Sequence, residues 1–199
     1  ENVDFQEVLN SKIYVDKSEL IQYTNSVLRT TQKYICVSRP RRFGKSMAAN
    51  MLTAYYSRGC DSRKLFQGLK IATHPDFEKH LNQYNVIHLN MRDYLTESEN
   101  MKQLIQFVED DLLDELQQEF SDLRMPRRKT LVKVLEQAFV QYKIPFVFII
   151  DEWDCIFRVH KSDAVSQKDY LDFLRNLLKD KSYIALAYMT GILPIKKYG

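Results

Sequence analysis

Five apolar residues in succession, Phe146-Val147-Phe148-Ile149-Ile150, stand between Pro145 and the acidic segment Asp151-Glu152-Trp153-Asp154. A strand with one wet face alternates apolar and polar residues. An unbroken run suits a strand covered on both faces, as in a parallel sheet. Such a sheet needs crossover connections, usually helical, between its strands. The chain supplies both. Lys33 to Ser38, Val86 to Asn90 and Ile184 to Thr190 are further short strand-like runs. Met47 to Tyr56 has good helix formers and meets no Pro or Gly until Gly59. Met101, Leu104, Ile105, Val108, Leu112, Leu116 and Phe120 recur at spacings of three and four, the mark of an amphipathic helix. Leu131, Val134, Leu135, Ala138, Phe139 and Tyr142 form a second such face, and Ser166 reads as the cap of a third that buries Tyr170, Phe173, Leu174, Leu177 and Leu178. The alternation predicts an α/β fold with an open, mostly parallel sheet, read as five-stranded, and helices on both faces.

Nothing in the composition divides the chain. Its 199 residues are within the range of one domain. No repeat or linker separates a polar lead-in, residues 1–32 with a short helical stretch near Ser18 to Arg29, from a core over residues 33–199. Hydrophobic residues make up 45% and charged ones 28%, ordinary for a globular protein. A net charge of +3 is too small to argue for nucleic acid, and the exposed run Arg127-Arg128-Lys129 is too short a patch to change that. Cys36, Cys60 and Cys155 are scattered and odd in number, which argues against a zinc site or a disulfide framework. No apolar run approaches the ~20 residues of a membrane span and no signal peptide is visible; the expected location is the cytoplasm. The chain opens at Glu1 rather than methionine and reads as a fragment.

The basic residues are concentrated instead. Arg39, Arg41, Arg42 and Lys45 crowd into Arg39-Pro40-Arg41-Arg42-Phe43-Gly44-Lys45-Ser46-Met47, directly after the first predicted strand. Gly44-Lys45-Ser46 closes the phosphate-loop pattern G-x-x-x-x-G-K-[ST], but Arg39 stands where the first glycine is expected. That loop works through its backbone: successive N–H groups at a strand-to-helix turn face phosphate oxygens, and the helix N-terminus favours the anion. Arg41 to Met47 would form the cradle, with Lys45 neutralising phosphate and the Ser46 hydroxyl holding Mg²⁺. Arg39 lies at the entry to the turn, so its presence weakens the pattern more than the chemistry. A bare G-K-[ST] arises by chance in roughly one in ten chains of this length, so a second feature has to decide.

Asp151-Glu152 is that feature. In a phosphate-loop enzyme a neighbouring strand ends in an aspartate that supports Mg²⁺, and a glutamate after it can deprotonate the attacking water. Thr190, at the end of the last strand, would face the same crevice at the carboxyl ends of the strands and touch the γ-phosphate or the water. His88, Asn90 and Arg92, around the end of another strand, are further candidates for lining it. Arg41 and Arg42 would reach phosphates or serve as arginine fingers between copies of a homo-oligomer; solvated basic residues beside an anion site are the simpler account. Trp153 reads as a packing aromatic.

Together Arg39-Pro40-Arg41-Arg42-Phe43-Gly44-Lys45-Ser46, the Tyr14-Val15-Asp16-Lys17-Ser18-Glu19-Leu20 stretch, Ile149-Ile150-Asp151-Glu152-Trp153-Asp154 and the closing Thr190-Gly191-Ile192-Leu193-Pro194-Ile195-Lys196-Lys197-Tyr198-Gly199 resemble the AAA-ATPase-like family of bacterial proteins. The loop and the acidic strand end are also similar to the STAND group of switch ATPases. The resemblance, from about Tyr14 to Gly199, implies an additional-strand, RecA/AAA-like P-loop NTPase core, a three-layer sandwich. It implies ATP and Mg²⁺ as ligands, Lys45 and Ser46 on phosphate and metal, Asp151 supporting the metal and Glu152 as catalytic base. Family members often carry a restriction-endonuclease-like domain after the ATPase. Here the chain stops soon after the last strand, so any DNA partner would be reached through a domain not present. Tyr14, Asp16 and Lys17 would lie near the adenine or, more simply, serve packing and a helix start. Hydrolysis is the leading expectation, a slowly hydrolysing nucleotide switch or scaffold the second and a kinase the third; Glu152 argues against the last.

Overall fold

The computed structural model describes residues 2–9, 16–38 and 45–193. Its strands, β1 (Tyr34–Ser38), β2 (Asn85–Asn90), β3 (Phe146–Asp151) and β4 (Ile184–Gly191), form one all-parallel sheet in the order β1-β4-β3-β2. Two expectations need correction. Four strands, not five, are present among the described residues, and β4 lies between β1 and β3, so Asp151 is not on the strand next to the one that enters the loop. Burial explains the order. All of β3 and all of β4 except Met189 are buried, whereas Tyr34 is exposed and the rest of β1 half-buried. The most continuously apolar strands take the middle.

Helices cover both faces of the sheet. On one, Val147, Ile149, Leu186 and Tyr188 pack with α1 (Asn2–Leu9), α2 (Glu19–Val27) and α3 (Lys45–Tyr56). On the other, Phe146, Phe148 and Ile150 meet α7 (Met101–Glu119), α8 (Leu131–Tyr142) and α10 (Ala164–Leu178). The period-two alternation of β3 thus divides one apolar run between two cores. Short elements fill the connections: α4 (Arg63–Phe66), a 3₁₀ turn (Lys70–Thr73), α5 (Phe77–His80), α6 (Met91–Glu97) and α9 (Cys155–Val159).

Capping sets where the long helices start. Asn100 accepts the N–H of Gln103 at 2.8 Å to open α7, and Thr130 that of Lys133 to open α8. For α10 the cap is Asp163 rather than the expected Ser166. Asp163 accepts the Ser166 N–H at 3.0 Å and its hydroxyl at 2.7 Å, because a carboxylate three residues ahead can take both donors.

The lead-in is a working part of the core. Phe5 is fully buried and stacks on Phe66. Thr24 and Asn25 of α2 bind the buried hydroxyls of Tyr55 and Tyr56: Thr24 Oγ1 lies 2.6 Å from Tyr56 Oη, Tyr56 donates to Asn25 Oδ1 at 2.7 Å, and Asn25 donates to Tyr55 at 3.1 Å. Burial pushes the Tyr56 hydroxyl well above its ordinary acidity constant, so it stays protonated and able to donate. These bonds fasten the C-terminal end of α3. Asp16 and Ser18 extend the clamp: Asp16 accepts the N–H groups of Ser18 (2.9 Å) and Lys70 (2.8 Å), and Ser18 Oγ accepts that of Ile71. This geometry favours the packing reading of the Asp16-Lys17-Ser18 stretch; Tyr14 lies outside the described residues.

Burial disfavours the charge on Asp16, but the N–H groups of Lys70 and Ser18 outweigh it and hold the carboxyl below its ordinary value of 3.8. Asp16→Asn removes the charge and turns an amide NH2 toward one of these two N–H donors, so it is expected to cost about 1–2 kcal/mol, the scale of one lost hydrogen bond to a partly exposed charged group. A depressed carboxyl stabilises the fold above its unfolded value, and that contribution disappears as pH falls through the folded one. Thermal unfolding of parent and variant should therefore differ at about pH 7 and converge toward about pH 3; a gap constant with pH would mean the charge contributes nothing.

Candidate active site

The parallel register sets polar residues side by side at the carboxyl edge of the sheet. Ser38 pairs with Gly191, Val37 with Thr190, Ile150 with Met189 and Asn90 with Asp151. Beyond this edge β1 gives way to a connection that ends where α3 begins at Lys45. Arg39 to Gly44, and with them the expected cradle residues Arg41, Arg42, Phe43 and Gly44, lie outside the described residues. Lys45 and Ser46 lie in the first turn of α3, and Met47 after them is half-buried.

Asp151 is only 6% exposed, and each of its oxygens has a partner. Oδ1 accepts the Thr190 hydroxyl at 2.7 Å, and Oδ2 lies 3.0 Å from His88 Nε2. His88 Nδ1 is 3.3 Å from Thr53 Oγ1, which itself donates to the Ala49 carbonyl within α3. A hydrogen-bonded chain therefore runs from β4 through β3 and β2 to α3. Thr190 is buried with its hydroxyl committed to Asp151 rather than turned to solvent.

Glu152 sits just outside this chain at φ +54°, a left-handed conformation that costs a non-glycine residue about 1–3 kcal/mol and recurs at functional sites. Its Oε2 is held by Arg158 Nη2 of α9 at 2.5 Å and approached by Arg92 Nη1 of α6 at 3.7 Å. Arg158 Nη2 also faces Asp154 Oδ1 at 3.5 Å, while its buried Nε has no hydrogen-bond partner among the described residues. Asp154, 1% exposed, accepts the N–H groups of Ile192 (2.8 Å) and Leu193 (2.6 Å) on Oδ2.

A cavity of about 430 Å³ opens beside Asp151, walled also by Asn50, His88, Asn90, Asp93 and Glu97. Its carboxylates suit a cation and disfavour a bare phosphate. Of the three further crevice candidates, His88 binds Asp151, Arg92 reaches Glu152, and Asn90 is occupied in capping α6 through the Arg92 N–H. Sequence reasoning gave His88 no partner and passed over Arg158. Alternation along β2 says which face His88 takes but not what it meets. Arg158 did carry a signal, because it follows Asp154 by four residues, one helical turn. Trp153 packs edge-on against Phe157, as expected of a packing aromatic, and no disulfide joins the three cysteines.

Polar groups gathered at the carboxyl edge of a parallel sheet, beside a strand-to-helix connection, define an α/β protein with a crevice of the kind that binds nucleotides. The chain belongs to the AAA-ATPase-like family, described as predicted AAA-ATPase, whose model it matches over residues 3–199. No curated protein matches it. Membership suggests nucleotide binding and ATPase activity. No helix among the described residues is long and apolar enough to cross a membrane.

Thr190→Val keeps the shape of the side chain and removes the donor to Asp151 Oδ1. A hydrogen bond to a charged group is worth about 1.5–3 kcal/mol, and the variant should lose stability on that scale by denaturant titration. An unchanged midpoint would mean that the Thr190–Asp151 bond does not hold the strand ends together.

Proposed function

We propose that the chain binds Mg·ATP at this sheet edge and hydrolyses it. The observation that carries the reading is the meeting of Asp151, Glu152 and Thr190 at the edge where β1 passes to α3. The donors fit Mg²⁺: the Asp151 carboxylate and the Ser46 hydroxyl are hard oxygens, and neither sulfur nor imidazole is needed. Bound there, the metal would neutralise charge on the β- and γ-phosphates. The backbone from Arg41 to Met47 would cradle the phosphates, Lys45 would pair with their charge, and Ser46 and Asp151 would support the metal, with Thr190 keeping the Asp151 carboxylate in place. Water's oxygen attacks the γ-phosphorus, the bond to the β–γ bridging oxygen breaks, and the water proton passes to Glu152. On this reading the core is an additional-strand P-loop sandwich of a cytoplasmic, bacterial ATPase, and Arg41 and Arg42 are its candidates for contacts between copies.

One observation favours a second reading, a switch or scaffold that binds ATP and turns it over slowly. Glu152 Oε2 is already held by Arg158 and approached by Arg92. Such a module would use nucleotide to control an attached domain, a nuclease acting on DNA in the fused arrangement.

Lys45→Ala should abolish Mg·ATP binding in calorimetric titration while leaving the fold intact, since it removes a charge-assisted contact to phosphate. Undiminished affinity would reduce the loop to a basic turn. Glu152→Gln should retain affinity and lose about 10²–10⁴-fold in phosphate release, the usual contribution of a general base. Equal rates in parent and variant would remove Glu152 from the mechanism; a parent that binds without turnover would leave the switch.

A further inference from the structure

Asp154, the third acid of the Asp151-Glu152-Trp153-Asp154 segment, takes a different part from the first two. We infer that Asp154 is a positioning residue: it ties the turn after β4 to the end of β3, and so sets Thr190 against Asp151 and Arg158 against Glu152. The inference rests on the hydrolysis reading above.

Three observations converge on it. Asp154 is 1% exposed, and its Oδ2 receives the N–H groups of both Ile192 and Leu193. This oxygen is spent on the protein's own backbone. The same turn is held from the opposite side, where Ser38 Oγ of β1 contacts the Ile192 and Leu193 carbonyls at 3.1 and 2.6 Å. The turn after β4 is therefore stitched by its N–H groups to the segment that follows β3 and by its carbonyls to β1.

The second observation is Gly191. A Cβ built there would stand 2.7 Å from Asp154 Cγ and 2.8 Å from both its oxygens. The carboxylate thus occupies the space where any other residue would place its side chain, and Thr190 is the next residue back along β4. The Trp153 N–H donates to the Thr190 carbonyl at 3.0 Å, which closes the seam between the two strand ends.

The third is Arg158. Its Nη2 spans Asp154 Oδ1 and Glu152 Oε2, so the acid that holds the turn also faces the cation that holds the candidate base. Anchoring Oε2 fixes the orientation of a carboxylate that is to receive a proton.

Two variants test this from opposite sides of one contact. Asp154→Asn removes the charge that both the turn and Arg158 rely on. Gly191→Ala leaves the acid in place and drives a methyl group into it. Each is compared with the parent in amide exchange at Ile192 and Leu193 without nucleotide, in Mg·ATP affinity and in phosphate release. Both variants should exchange these amides at least about tenfold faster. Both should release phosphate about tenfold or more slowly, the scale on which a misplaced catalytic geometry is felt, with ATP affinity held within about threefold. Unchanged exchange in Asp154→Asn overturns the inference whatever the turnover. So does unchanged or faster turnover in variants whose turn has loosened, or a joint collapse of affinity, turnover and thermal midpoint, which would make Asp154 merely structural. A parent that binds ATP and releases no phosphate overturns the hydrolysis reading instead.

Discussion

A carboxylate at the dry end of a buried strand is the constraint around which the other strand ends are arranged. β3 is buried at every position through Asp151, so its apolar length places a charged group where little water can reach it. A carboxylate so placed is tolerated only with polar partners. Thr190 and His88 supply them, one from each neighbouring strand. The two adjacent strands must then end level with β3, and the parallel register delivers that by pairing Asn90 with Asp151 and Ile150 with Met189. The candidate site is the by-product of satisfying one acid.

The helix that starts at Lys45 is held from two directions. In its last turn, Thr53 joins the chain that leads through His88 to Asp151. At its end, Tyr55 and Tyr56 are locked to α2 by a buried network in which each tyrosine hydroxyl is satisfied. A helix whose N-terminus is to face phosphate needs such anchorage, because a cradle of backbone N–H groups recognises an anion only if the turn that carries it is fixed in place. Residues 16–27, polar in sequence, therefore matter to a site that lies in a different part of the chain.

Much of the fold was legible because it rests on local periodicity. The three-and-four spacing from Met101 to Phe120 gave α7 almost to the residue, and the unbroken run from Phe146 gave a doubly covered strand. The cap of α10 was missed by three residues, since Ser166 and Asp163 both carry capping side chains and only the geometry shows which one accepts. The order of strands was less accessible. Nothing within Ile184 to Thr190 states that it inserts between β1 and β3; its place follows from competition among strands for the fully buried centre of the sheet.

The sequence by itself determined the class of fold, the longer helices, the strand ends and the identity of the acids, because periodicity and chemistry are properties of neighbouring residues. It also held Asp154 and Arg158 at one helical turn, a relation readable without coordinates. Only the tertiary structure decided the partners of those acids. That His88 faces Asp151, that Thr190 is turned inward, and that Asp154 grips the turn after Gly191 are contacts between residues 38 to 63 positions apart. Such pairings depend on strand order and register, which the whole core fixes at once by burying its most apolar strands together.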